Sequence, residues 1–231
     1  MLISGRGLPI AVFLLAFWPA SAAAQAASED TGSAVSASIE LVSDYRFRGV
    51  SLSNRKPALQ AGAEYSHSSG LFAGVWGSTL AETGGANAEV DVYVGYSGSA
   101  AGLSYTVTAA KYMYPGATGL AYLELQSEVE APLGPVTALL EVAYTPEQKN
   151  AVANLYTAAG ASYEGPHGTT VTAKLGRENG GYRRKWDLEL GLSRSFGPVA
   201  LRAAYVVTNH RSAQLGKDGK PTLLVGAGLE F

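Results

Sequence analysis

From about residue 35 onward, apolar and polar residues alternate in runs of roughly ten positions, and clusters of Gly, Pro, Ser and charged residues separate the runs. Alternation with period two marks a β-strand whose two faces meet different surroundings. Twelve such runs can be read: Val35–Phe47, Ala58–Ser66, Leu71–Thr79, Asn87–Ser97, Leu103–Tyr112, Leu120–Ala131, Val136–Tyr144, Ala153–Tyr163, Thr169–Gly176, Lys185–Ser195, Val199–Thr208 and Thr222–Phe231. The links alternate in length. Ser68–Gly70, Gly98–Gly102, Pro132–Pro135, Glu164–Gly168 and Phe196–Pro198 are short and carry tight-turn chemistry. Arg48–Pro57, Leu80–Ala86, Met113–Gly119, Thr145–Val152, Arg177–Arg184 and Asn209–Pro221 are longer. Short turns on one side and longer loops on the other predict a closed, antiparallel, up-and-down transmembrane β-barrel with both termini on the periplasmic side.

The placement of acids sharpens this. On the predicted strands they fall at Glu40, Asp44, Glu64, Glu89, Asp91, Glu124, Glu128, Glu130, Glu141, Asp187, Glu189 and Glu230, and the adjoining residues are mostly apolar, as with Ile39 and Leu41, Val90 and Val92, or Leu188 and Leu190. Acids therefore share one face. The other seven, Glu29, Asp30, Glu82, Glu147, Glu164, Glu178 and Asp218, fall in the amino-terminal tail, loops or turns. No acid has to face lipid, where a mid-depth charge costs roughly 2–4 kcal/mol. The basic exceptions, Lys111 and Arg194, lie near strand ends, from which long side chains reach the interface. A soluble sandwich also alternates, but its apolar face points inward. Here the apolar face ends in aromatics, and Tyr45, Phe47, Tyr65, Tyr96, Trp186, Tyr205 and Phe231 are expected to form lipid-facing girdles.

The first residues add a compartment. Arg6 is followed by the apolar run Ala11–Trp18 and by the small residues Ala20–Ala26. This is the order of a secretory signal peptide, cleaved after Ala24 or Ala26. The expected organisation is a signal peptide over 1–26, a short periplasmic tail over 27–34 and an outer-membrane barrel over 35–231 of a Gram-negative cell. The last run, Thr222–Phe231, resembles the strand by which such barrels are recognised by their assembly machinery. The chain has no cysteine and a net charge of −2. Disulfides and thiolate metal sites are excluded, and nothing points to nucleic acid.

A family resemblance enters with Leu41-Val42-Ser43-Asp44-Tyr45-Arg46-Phe47-Arg48-Gly49-Val50-Ser51 and the following Pro57-Ala58-Leu59-Gln60. With Phe72–Ser78, Glu89–Tyr96 and Tyr114–Ala117, this stretch is similar to the TorF-like family of proposed porins, most closely over about residues 36–117. The resemblance implies an outer-membrane barrel with a porin role and supplies no catalytic residues.

A twelve-stranded barrel tilted near 40° has a backbone radius of about 12 Å, between filled eight-stranded and open sixteen-stranded barrels. The residues expected to line its lumen are Glu40, Asp44, Arg46, Arg48, Glu64, Glu89, Asp91, Tyr93, Glu124, Glu128, Glu141, Lys174, Asp187, Glu189 and Arg202, with Tyr122 and Tyr156 also inward. Asp44, Arg46 and Arg48 are expected at one height near the outer mouth, as a charged filter or as a salt-bridged brace. Twelve inward acids against five bases, Arg46, Arg48, Lys174, Lys185 and Arg202, predict a narrow channel that prefers cations. The long loops reverse the sign with Arg55, Lys56, Lys149, Arg177, Arg183, Arg184, Arg211, Lys217 and Lys220. Such a rim suits the phosphates of lipopolysaccharide, and plain solvation is the alternative. The expected partners are thus outer-membrane lipid, lipopolysaccharide, the assembly machinery and small solutes or ions.

An enzyme is the weaker alternative. His67 and His167 fall at predicted turns, and His210 stands with Ser212 in the last loop. No nucleophile elbow, His-Glu-x-x-His or Asp-x-Asp loop occurs, so no catalytic, cofactor or metal site is expected. A closed structural or adhesive barrel is the other alternative.

Overall fold

The computed structural model describes residues 32–117, 119–149, 151–180, 184–209 and 217–231. The segment read as a signal peptide lies outside them. The strands are β1 (Ser33–Val42), β2 (Arg46–Phe47), β3 (Val50–Ser51), β4 (Ala58–His67), β5 (Leu71–Thr83), β6 (Ala86–Ala100), β7 (Leu103–Met113), β8 (Tyr122–Leu133), β9 (Val136–Thr145), β10 (Asn154–Gly165), β11 (Thr169–Asn179), β12 (Lys185–Phe196), β13 (Val199–Thr208) and β14 (Thr222–Glu230). β1 and β4 to β14 form one closed barrel of twelve antiparallel strands, sealed where β1 pairs with both β4 and β14. β2 and β3 form a separate two-stranded hairpin. A ten-residue strand such as β4 or β13 rises about 25 Å along the barrel axis at the usual tilt, the height of a bilayer-spanning apolar band.

Side chains separate by face as the alternation requires. Ile39, Val92, Leu125 and Leu190 would be hidden between the layers of a sandwich; here they are 40%, 42%, 54% and 47% exposed. Their neighbours on the other face, Glu64, Glu89, Asp91 and Glu124, are enclosed. The molecule is thus apolar outside and polar within, which is the distribution a bilayer selects. Tyr65, Tyr96 and Phe231 are exposed near the end carrying the short turns, and Trp186 and Tyr205 toward the end carrying the long loops.

Tyr45 and Phe47 depart from the expected girdle. The strand read as Val35–Phe47 leaves the wall after Val42. Beyond that residue, period two no longer says which side of the wall a side chain faces. Residues 43–53 turn inward instead, with β2 and β3 as a hairpin inside the barrel, and the chain returns to the exposed rim at Lys56 and Pro57. Tyr45 is 1% exposed, tilts against Trp76 of β5 at 5.5 Å between ring centroids, and its hydroxyl donates to Glu89 of β6 at 2.8 Å. Phe47 packs against Tyr112 of β7. Burying two aromatic rings against an aromatic wall outweighs leaving them at the interface.

Two further boundaries move. The stretch read as the link Leu80–Ala86 is mostly strand: β5 and β6 run on to a two-residue turn, Gly84-Gly85, both left-handed, with the register shifting between Thr79 and Thr83. Arg177 and Glu178, read as loop, belong to β11, so Arg177 points outward and Glu178 inward.

Candidate functional site

The interior has two unlike sides. On β5 to β7 the inner wall is aromatic: Phe72, Trp76, Tyr93 and Tyr112 are buried, and Tyr45 closes over them from the hairpin. Small residues on neighbouring strands make room. An added Cβ at Gly74 would run into Tyr93, at Gly95 into Phe72, and at Gly176 into Tyr156. On β8, β11 and β12 the inner wall is ionic, with Glu124, Lys174, Glu178, Lys185 and Asp187, while β13 and β14 set Arg202 beside a small apolar cluster of Ala204, Val206 and Leu224.

The hairpin joins the two sides. Arg48 reaches across to Glu124 of β8 and donates from Nη1 and Nη2, at 2.9 and 2.8 Å, and lies 3.8 Å from Glu178 of β11. Its guanidinium is held between the rings of Phe47 and Tyr156, 4.5 and 4.3 Å from their centroids. Burial works against the charge on Arg48, but Glu124 and its hydrogen bonds outweigh burial and hold the group above its ordinary basicity. The Arg48 carbonyl accepts from Lys185 of β12, which also pairs with Glu178 at 2.8 Å. Gly49, at φ +85, sits so close to the β-carbons of Asp187 and Thr208 that a side chain there would have 2.8 and 2.9 Å of clearance. Arg46 donates to Asp44 at 2.7 Å, to the Gly49 carbonyl at 3.0 Å and to Thr222 of β14 at 2.9 Å. From Trp76 and Glu89 on one wall to Asp187 and Thr222 on the other, the hairpin spans the bore. Burial and the charges of Glu89 and Asp91 keep Tyr45 a neutral phenol, so it serves as a donor.

Asp44, Arg46 and Arg48 are therefore inside, but on the hairpin and not on the wall. There Arg46 pairs with Asp44 and Arg48 with Glu124. Glu40, Glu64, Glu89, Asp91, Tyr93, Glu124, Glu128, Glu141, Lys174, Asp187, Glu189 and Arg202 alternate with exposed residues on the inner face of their strands. Among the described residues every interior base has an acid: Arg46 with Asp44, Arg48 with Glu124, Lys174 with Glu141 at 3.2 Å, Lys185 with Glu178, and Arg202 with Glu40. Carboxylates are left over. Glu128 stands directly opposite Glu141 across β8 and β9, with Glu130 two residues along. Asp91 is 1% exposed and neither of its oxygens has a hydrogen-bond partner among the described residues.

Glu178 was missed because Arg177-Glu178-Asn179-Gly180 reads as a polar loop; the continued alternation Lys174, Gly176, Glu178 was the signal that β11 runs on. At the loop end a cavity of ≈ 810 Å³ is lined by Leu52, Leu80, Tyr114, Tyr122 and Val152 and reaches Arg48, Glu124, Glu178 and Lys185. Among the described residues no group of three or more His, Asp or Glu is placed to hold a metal ion, and no helix is long and apolar enough to cross a membrane. His67 Nδ1 meets Ser69 Oγ at 2.9 Å within an exposed turn, a local cap two residues long. His210 and Ser212 lie outside the described residues.

Residues 24–224 match a bacterial family described as protein of unknown function, Gcw_chp. The chain belongs to the Gcw_chp family. No curated protein matches it by sequence. Among solved structures this Gcw_chp barrel is similar to the KdgM porin, with a TM-score of 0.61 and 8% identity over 86% of this chain and 99% of that one. KdgM in complex with disordered oligogalacturonate matches with the same TM-score, identity and coverage. The NanC porin follows at a TM-score of 0.58 and 8% identity, again over 86% and 99%. At such identities the Gcw_chp chain shares the fold of these porins, and its side chains have to be read on their own.

Proposed function

We propose that this protein is an outer-membrane channel for passive diffusion of small solutes or ions, narrowed by its inward hairpin and preferring cations. In this reading it is a porin of the kind the TorF-like resemblance implies, exported through a cleaved signal peptide, and not an enzyme. The observation that carries it is the pairing inside the barrel. All five interior bases are engaged by carboxylates, while Glu64, Glu89, Asp91, Glu128, Glu130 and Glu189 have no basic partner within ion-pair distance among the described residues. Excess negative charge in a narrow, low-dielectric bore attracts cations and repels anions. Oligogalacturonate, present with KdgM, carries carboxylates that this interior would oppose.

A second reading is a closed structural barrel, favoured by the hairpin's contacts on both walls. One experiment separates the two. Purified protein in a planar bilayer under a salt gradient is expected to show small unitary currents and a cation-selective reversal potential. Glu128→Gln with Glu130→Gln is expected to weaken the selectivity. Anion selectivity would overturn the channel assignment as stated, and absence of current would favour the closed barrel.

A further inference from the structure

Bases at the loop end of the barrel differ from those inside. Arg55, Lys56, Lys217 and Lys220 form no ion pair among the described residues. They are nevertheless held together. The Ser51 amide donates to the Asp218 carbonyl at 3.0 Å, and Arg55 Nη1 donates to the Lys220 carbonyl at 3.2 Å. A turn then brings Lys220 N to 3.1 Å from the Lys217 carbonyl. Backbone contacts thus tie two loops from opposite ends of the chain together and bring four basic residues to one part of the loop end. Asp218, the acid of that turn, lines the cavity at the mouth, buries Oδ1 and forms no ion pair with these bases among the described residues.

The patch stands directly above the seam where the barrel closes. Lys56 precedes β4 by two residues and Lys220 precedes β14 by two, with β1 between these strands. Leu41 and Leu59, paired across β1 and β4, and Leu223 and Val225 of β14 are exposed on the outer face just below. Cations at headgroup height over an apolar strip match a ligand that has phosphate above and acyl chains beneath.

We propose that the outer face of the β14–β1–β4 seam, capped by Arg55, Lys56, Lys217 and Lys220, is a docking site for lipid A, the phosphorylated acyl glycolipid of the outer leaflet. The inference rests on the outer-membrane placement proposed above and is independent of conduction. The test titrates lipid A into the detergent-purified full chain and counts bound lipid by native mass spectrometry. The quadruple variant Arg55→Gln, Lys56→Gln, Lys217→Gln, Lys220→Gln is expected to bind at least about tenfold more weakly, as loss of four charges near a phosphate implies. Lys149→Gln with Arg184→Gln, which removes rim cations away from the seam, is expected to change binding less than about twofold. Dephosphorylated lipid A is expected to bind the native protein no better than the quadruple variant binds lipid A. Equal binding by native and quadruple-variant protein overturns the proposal. So does an equal loss in the control variant, which would mean diffuse rim electrostatics, or equally strong competition by inorganic phosphate, which would mean an anion site without lipid. All variants run on gels as heat-modifiable barrels if folded, so misfolding is separable. A barrel that binds lipid A in this way but passes no current leaves this inference standing and removes the channel reading.

Discussion

Arg48 shows how much one side chain decides here. Its guanidinium is enclosed, doubly bonded to Glu124 and stacked between two rings. Removing one member of such a buried pair leaves the other charge uncompensated and costs about 3–5 kcal/mol. Arg48→Gln is therefore expected to loosen the hairpin while the wall stays closed. The chain has no native cysteine, so Val50→Cys, buried at 6% exposure, gives a clean reporter. Labelling of that thiol by a membrane-impermeant maleimide should be at least about tenfold faster with Arg48→Gln than without it. Equal rates would show that the hairpin is held by its other contacts. Gly176 bears on the same contact. A methyl group there displaces the Tyr156 ring, which stacks on Arg48 and donates to Asp187 at 3.1 Å. Gly176→Ala is expected to destabilise the barrel by about 1–3 kcal/mol, read from the urea midpoint of its heat-modifiable band.

The element that departs most from its neighbours is the hairpin of β2 and β3. Every wall strand is specified twice, by its own alternation and by ladders to two neighbours, as β1 is by β4 and β14. The hairpin has a ladder only with itself, over Arg46–Phe47 and Val50–Ser51, and is otherwise positioned by side chains and by single backbone bonds such as Ser51 N–H to the Asp218 carbonyl and Ala81 N–H to the Leu52 carbonyl. An element held this way can be removed without opening the sheet. Replacing residues 46–51 by two glycines is expected to raise unitary conductance several-fold while far-UV circular dichroism keeps its strand content. Unchanged conductance would mean that the narrowest point lies elsewhere, near the paired Glu128 and Glu141. The wall strands were legible in the sequence because a lipid-facing side and an aqueous side imprint period two on it. The hairpin was not, because its residues are placed by contacts with the inner wall and not by an alternation between lipid and water.

For the whole molecule, charge is sorted by position. The exterior is apolar, the interior holds more acids than bases, and the seam carries bases at its outer end. If the interior selects cations through its summed field, selectivity should fall with ionic strength, since screening shortens from about 10 Å at 0.1 M salt to about 3 Å at 1 M. Reversal potentials at a fixed salt ratio but rising absolute concentration measure this. A constant permeability ratio would mean selection by direct coordination at one point in place of the field.

The sequence alone determined the barrel, its strand number and the inward face of its acids, because burying apolar residues in lipid and carboxylates in an enclosed bore leaves one consistent pattern. It also carried, in Lys174, Gly176 and Glu178, a strand extension easily taken for loop. Tertiary structure alone decided where Tyr45, Phe47 and Arg48 go. Their fate depends on partners far away in sequence, Glu89, Tyr112 and Glu124, and no local periodicity encodes a contact that exists only after the barrel has closed around it.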